Sequence, residues 1–160
     1  MGILFKASPL NRLTAALKAE LMKDEHIFAV VMSDESRIDL HRYTQVGEDD
    51  VPLIAISVRK EEVRNLSDYD DERSDVSLLV EAIFPRKIKV NPEDFGYHLR
   101  HVLLGMEKVK FDGGSFERLS TASMHYVRTM VGKVAVSHVV CEMTTRYDDE
   151  ILTKAFISDF

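Results

Sequence analysis

The sequence predicts an α+β domain: a mainly antiparallel β-sheet with two principal helices packed on one face and a long C-terminal strand. Three observations lead there. The apolar patterns run in the order helix, four strands, helix, two strands, not in the strict alternation that builds a parallel doubly wound sheet. Two helix starts are written out as Ser8-Pro9 and Asn91-Pro92. The run 133–147, KVAVSHVVCEMTTRY, has no Gly or Pro, is dense in β-branched residues, and reads as one strand. At about 3.3 Å per residue that strand extends roughly 50 Å, far enough for its ends to outreach the domain's own sheet.

Helix one opens at Ser8, with Pro9 at the first helical position, where a missing N–H is harmless. Leu10, Leu13, Leu17 and Leu21 then recur at helical spacing to about Lys23. The segment 26–33 (HIFAVVMS) has strand length, and Asp34, Glu35 and Ser36 are turn formers. With the alternating RIDLHRY of 37–43 they predict a hairpin. A polar loop, 45–50, precedes a third strand at 53–59 (LIAISVR), and 76–84 (VSLLVEAIF) is the fourth. Between these strands, 61–75 is rich in Asp and Glu, poor in apolar residues and lacks periodicity, which predicts a solvated acidic loop. The second helix begins after Asn91, carries its stripe on Phe95, Leu99, Val102, Leu103 and Met106, and is expected to end near Val109. Asp112-Gly113-Gly114-Ser115 is a turn, 119–130 a strand, and Val131-Gly132 the turn into the long strand. The remainder, 148–160, reads as a C-terminal arm or short docking helix.

The whole of 1–160 is expected to be one domain, large enough to bury about two thirds of its unfolded surface. A single cysteine, Cys141, excludes an internal disulfide, and its place in an apolar strand marks it as a small buried hydrophobe. No segment reaches the roughly 18 apolar residues of a membrane span, so no membrane partner is expected. The start MGILFKASPL lacks both a signal-peptide h-region and the Ser or Thr at position 6 of a myristoylation signal. A formal charge of −6 argues against a phosphate-driven grip on nucleic acid and suits a surface that lets DNA pass.

Asp94, His98 and His101 share one face of helix two and form the best metal candidate. No HExxH motif or cysteine pair accompanies them, and a polar, solvent-facing stripe is the stronger reading. His138 reads as a satisfied interior or interface residue. The acidic segment 61–75 has no Gly and lacks EF-hand spacing. Neither a GxSxG elbow nor a phosphate loop is present. The expectation is a chain that is not an enzyme, with no catalytic residue, cofactor or metal.

Three segments, PLNRLTAALKAELMKD at the start, DVSLLVEAIFP in mid-chain and the closing VAVSHVVCEMTTRYDD, give the chain a layout that resembles the tail terminator (tail completion) proteins of long-tailed bacteriophages. The resemblance implies a structural virion protein, made in the host cytoplasm and located in the tail at the head–tail junction. It would form a ring with itself, of hexameric type, cap the tail tube protein, end tube growth, and present a surface to a head-completion protein. DNA would be a partner only in transit. On this reading Glu142, Thr144, Arg146, Tyr147, Ile151 and Phe156 are candidate subunit contacts, since a strand or arm reaching a neighbour is one way to close a ring. Asp68, Asp70, Asp71 and Glu72 are candidate lumen-facing acids that would repel DNA. Two alternatives stand beside this one: an acidic secretion-type chaperone that binds an unfolded client as a homodimer, which size and composition fit equally well, and, within what the resemblance implies, another head–tail connector or tail tube protein. A small hydrolase using Asp94, His98 and His101 ranks well below these.

Overall fold

The computed structural model describes residues 5–40, 46–65 and 72–148. Helix α1, Pro9–Lys23, starts as the sequence predicts, with Ser8 Oγ accepting from Leu10 N at 3.2 Å. Its apolar stripe buries Leu13, Leu17 and Leu21, while Thr14 satisfies its hydroxyl on the carbonyls of Leu10 and Asn11.

The predicted strand at 26–33 is instead helix α2, Glu25–Val30. Its local cause is Asp24, whose carboxylate accepts from His26 N and Ile27 N and so supplies an N-cap. Ile27, Val30 and Val31 then fall at spacings of three and four and are all buried. The chain turns through Met32 and Ser33, both at positive φ. With a helix in that place, the predicted hairpin does not form. The following strand, β1 (Ile38–Leu40), pairs in parallel with β2 (Leu53–Asn65), Ile38 beside Ile54.

The 61–75 loop is corrected on both flanks. Strand β2 continues to Asn65, and β3 (Glu72–Pro85) begins at Glu72, the two pairing antiparallel down to Asn65 and Glu72. Their charges belong to paired strand, not to an absence of strand: β2 is exposed from Arg59 to Arg64, while β3 beside it buries Ser74. Helix α3, Pro92–Leu104, is capped by Asn91 Oδ1 on Asp94 N at 2.9 Å. It stops at Gly105, short of Val109, with Gly105 N donating to His101 O. A small hairpin, β4 (Lys110–Phe111) and β5 (Gly114–Ser115), turns at Gly113 with φ 99°. Strands β6 (Ser120–Val131) and β7 (Val134–Asp148) complete the sheet, whose order is β1-β2-β3-β7-β6.

The long strand does not outreach its sheet. It lies inside it, paired with β3 from Val136 beside Pro85 to Asp148 beside Arg73, and with β6 from Val134 to Thr144. One face carries the core: Ile54, Ile56, Val76, Leu78, Val80, Ala82, Val139, Cys141 and Met143 pack under the buried stripes of α1 and α3. Gly96 lets α3 sit close over β6, since a Cβ there would stand 2.7 Å from the Tyr126 hydroxyl. Burial pushes the Cys141 thiol up to about 11, against a small opposing pull from Arg100.

Candidate assembly surface

Partners across the ladder share a face, so the register shows which side chains lie opposite the helices. These are Lys60, Glu62 and Arg64 of β2; Arg73, Asp75, Leu79 and Glu81 of β3; His138, Val140, Glu142, Thr144, Arg146 and Asp148 of β7; and Ser123, His125 and Val127 of β6. Among the described residues no helix packs there. The end nearest the β6–β7 turn is roofed by residues 46–52, with Val51, Ile83 and Val136 forming a small second core and Glu48 accepting from Lys133 N.

The open part of this face is a lattice of ion pairs. The register sets Arg64 beside Arg73 and Glu62 beside Asp75, like charges that repel when directly opposite. One diagonal pair and two direct pairs to β7 resolve the conflict: Arg64 Nε reaches diagonally to Asp75 at 3.1 Å, while Arg73 Nε meets Asp148 opposite it at 3.0 Å and Arg146 Nε meets Asp75 opposite it at 3.6 Å, with Glu117 at 3.5 Å. Asp148 in turn holds the Arg73 guanidinium above its ordinary value, through their hydrogen bond and then through charge. Arg59, at the irregularity in β2, lies 3.6 Å from Glu142, and His138 lies 3.3 Å from Glu81. Both signs are present and matched, so the face presents polarity without a strong field.

The sequence candidates divide. Glu142, Thr144 and Arg146 share the uncovered face. Glu142 accepts from Ser123 Oγ at 3.1 Å, and Thr144 stands between Ser77 and Ser120 in the ladder. Tyr147 points the other way, into the core, where its ring packs against Phe111 and Phe116 and its hydroxyl donates to Glu61 at 2.6 Å. Glu72 opens β3 beside Asn65. Asp68, Asp70, Asp71, Ile151 and Phe156 lie outside the described residues, as does the arm beyond Asp148.

The helix-two candidates part as well. His98 Nε2 stands 3.0 Å from both carboxylate oxygens of Asp24, and His101 stacks on Tyr97 with centroids 4.3 Å apart. Burial alone would raise the Asp24 carboxyl, but the His98 hydrogen bond and the capped amides outweigh it and hold it below its usual value. Among the described residues no group of three or more His, Cys, Asp or Glu side chains is arranged to hold a metal ion, and no helix is long and apolar enough to cross a membrane.

No protein-family model matches the chain, and no curated protein matches it. Its fold is shared with a solved structure. A chain from the "Virion of native gene transfer agent (GTA) particle" superposes with a TM-score of 0.61, covering 89% of this chain and 99% of that one at 14% sequence identity. The likeness is one of fold, and it takes in nearly the whole of the other chain.

Sequence reasoning missed the outer edge of β6. The signal was available: STASMHYVRTMV is strand-like for its whole length yet carries no Asp or Glu and a single Arg. The structure leaves most of it exposed.

Proposed function

We propose that this chain is a structural protein of a phage-like virion, acting in the tail as a ring that caps the tube and meets the head. The observation that carries the reading is the fold match, which runs over 99% of a chain from the virion of a gene transfer agent particle. The tail-terminator layout of the sequence supports the finer role. On this reading the chain assembles with itself, probing no chemistry and needing no cofactor, and its partners are a tail tube protein on one side and a head-completion protein on the other. The charge-matched face of the sheet suits a wall past which DNA moves, because paired carboxylates and guanidinium groups offer little net attraction to phosphate.

Electron microscopy of tails assembled with and without the protein tests this. Tails of irregular length that fail to join heads in its absence are the expected result; normal length and normal joining would remove the terminator role. A second test concerns the acidic segment. Neutralising Asp68, Asp70, Asp71 and Glu72 together should alter DNA retention or ejection, and unchanged behaviour would exclude a lumen position for it.

A further inference from the structure

We propose that the segment 149–160, DEILTKAFISDF, folds back within its own chain, with 151–160 docked as a helix in the groove between α1 and the stretch 105–110. The inference is independent of the ring reading, and it assigns Ile151 and Phe156 to the chain's own helical layer instead of to a neighbour. The groove has a volume of about 610 Å³, the size of a ligand cleft. Its floor is small and apolar: Ala16 and Ala19 from α1, then Gly105, Met106 and Val109. Small side chains at a contact let two helices approach to the short end of the usual spacing of about 8 to 10 Å.

The occupant is identified by charge and pattern. Arg12, Lys23, Lys108 and Lys110 line the groove against Glu20 and Glu107, so its rim is basic. Among the described residues Lys23 pairs with Glu20 at 3.8 Å, while Arg12, Lys108 and Lys110 have no ion-pair partner. The segment supplies the opposite sign, with Asp149, Glu150 and Asp159 against one lysine, Lys154. Ile151, Leu152, Ala155 and Phe156 fall on one stripe of a helix. Such a helix has Asp149 and Glu150 at its N-terminal end, where acids are favoured. The stripe then meets the apolar floor and the acids meet the rim.

The place where β7 ends sets the reach. Asp148, its last residue, lies against the β4–β5 hairpin: a Cβ at Gly114 would stand 2.9 Å from Asp148 O. Gly114 pairs with Phe111, and Lys110 beside it already lines the groove. The chain therefore leaves β7 two strand spacings from the groove, about 10 Å, and three residues at about 3.3 Å each cover that distance. The third is Ile151, the first apolar residue of the segment. A helix over 151–160 is about 15 Å long, against about 17 Å along α1 from Arg12 to Lys23, so the segment fits the length of the groove. Tethering places it there at an effective concentration on the order of millimolar, which favours its own groove over that of another copy.

The chain has no tryptophan, so Phe156→Trp puts a single fluorescent reporter on the segment. In the full-length chain its emission should lie at shorter wavelength than in a free peptide 149–160 carrying the same substitution, and should not change on dilution. Ala19→Glu, at an exposed position of α1, sets a carboxylate on the groove floor and should return the emission to the free-peptide wavelength with the melting transition in place. Lys108→Glu, outside any helix or strand, should do the same through the rim, so a folding defect in the first variant leaves the test standing. Free-peptide emission from Phe156→Trp alone, or short-wavelength emission that neither groove variant moves, would overturn the proposal. So would recovery of short-wavelength emission when the native chain is added to the variant carrying both Phe156→Trp and Ala19→Glu, because a second copy would then be the one holding the segment.

Discussion

At the residue scale, Asp24 does the most with one side chain. It ends α1, caps α2 and bonds His98 of α3, so three helices are referred to one carboxylate. Asp24→Ala should cost about 1 to 2 kcal/mol from the lost cap, measured by urea unfolding near neutral pH. The sign with pH follows from the lowered carboxyl: its stabilisation is complete above the usual value of 3.8 and is lost as pH falls through the lower folded value. The gap between the native chain and Asp24→Ala should therefore close in acid, and a gap independent of pH would refute the role. Tyr147→Phe removes one hydrogen bond to Glu61 and should cost about 1 kcal/mol. Cys141 should resist thiol reagents until the chain unfolds, since its thiol is buried and raised to about 11; rapid labelling of the native protein would contradict its place in the core.

At the element scale, the position of β7 changes what a substitution there reports. On sequence alone, proline at Thr144 reads as a lesion in an assembly contact. The structure places Thr144 between Ser77 and Ser120, in a strand paired on both sides. Proline there removes a ladder hydrogen bond and should unfold the monomer, at a cost of about 3 kcal/mol or more. Loss of the cooperative melting transition is the expected reading, and a folded variant deficient only in assembly would restore the earlier view. The elements legible in sequence were those set by neighbours: α1 and α3 by Ser8-Pro9 and Asn91-Pro92, and β6 and β7 by unbroken β-branched runs. Segment 26–33 was misread because a short apolar run has no decisive period, and the cap at Asp24 lay just outside it. The β2–β3 extension escapes a local pattern because β2 is exposed on both faces from Arg59 to Arg64, and the position that β3 buries before Val76 is a serine, Ser74, so the segment has the composition of a loop. The face opposite the helices, and with it the grouping of Glu142, Thr144 and Arg146, depended on register across three strands, which no local pattern specifies.

At the scale of the whole molecule, a lattice of exposed ion pairs adds little stability pair by pair, a few tenths of a kcal/mol for each, and screens with salt. Raising ionic strength should therefore move the melting temperature little; a large shift would show that the ion-pair lattice carries more of the stability than exposed pairs supply. The central place of β7 bears on synthesis as well. The ribosome releases the chain from its N-terminus, so β2 and β3 emerge and pair well before β7 exists to take the other side of β3. Until residue 148 is out, the apolar row Val76, Leu78, Val80 and Ala82 has a bare edge beside it. Stalled chains ending before Val134 should be protease-sensitive and captured by holdase chaperones, and chains extending past Asp148 should escape both, so the last strand of the sheet acts as the completion signal for folding on the ribosome.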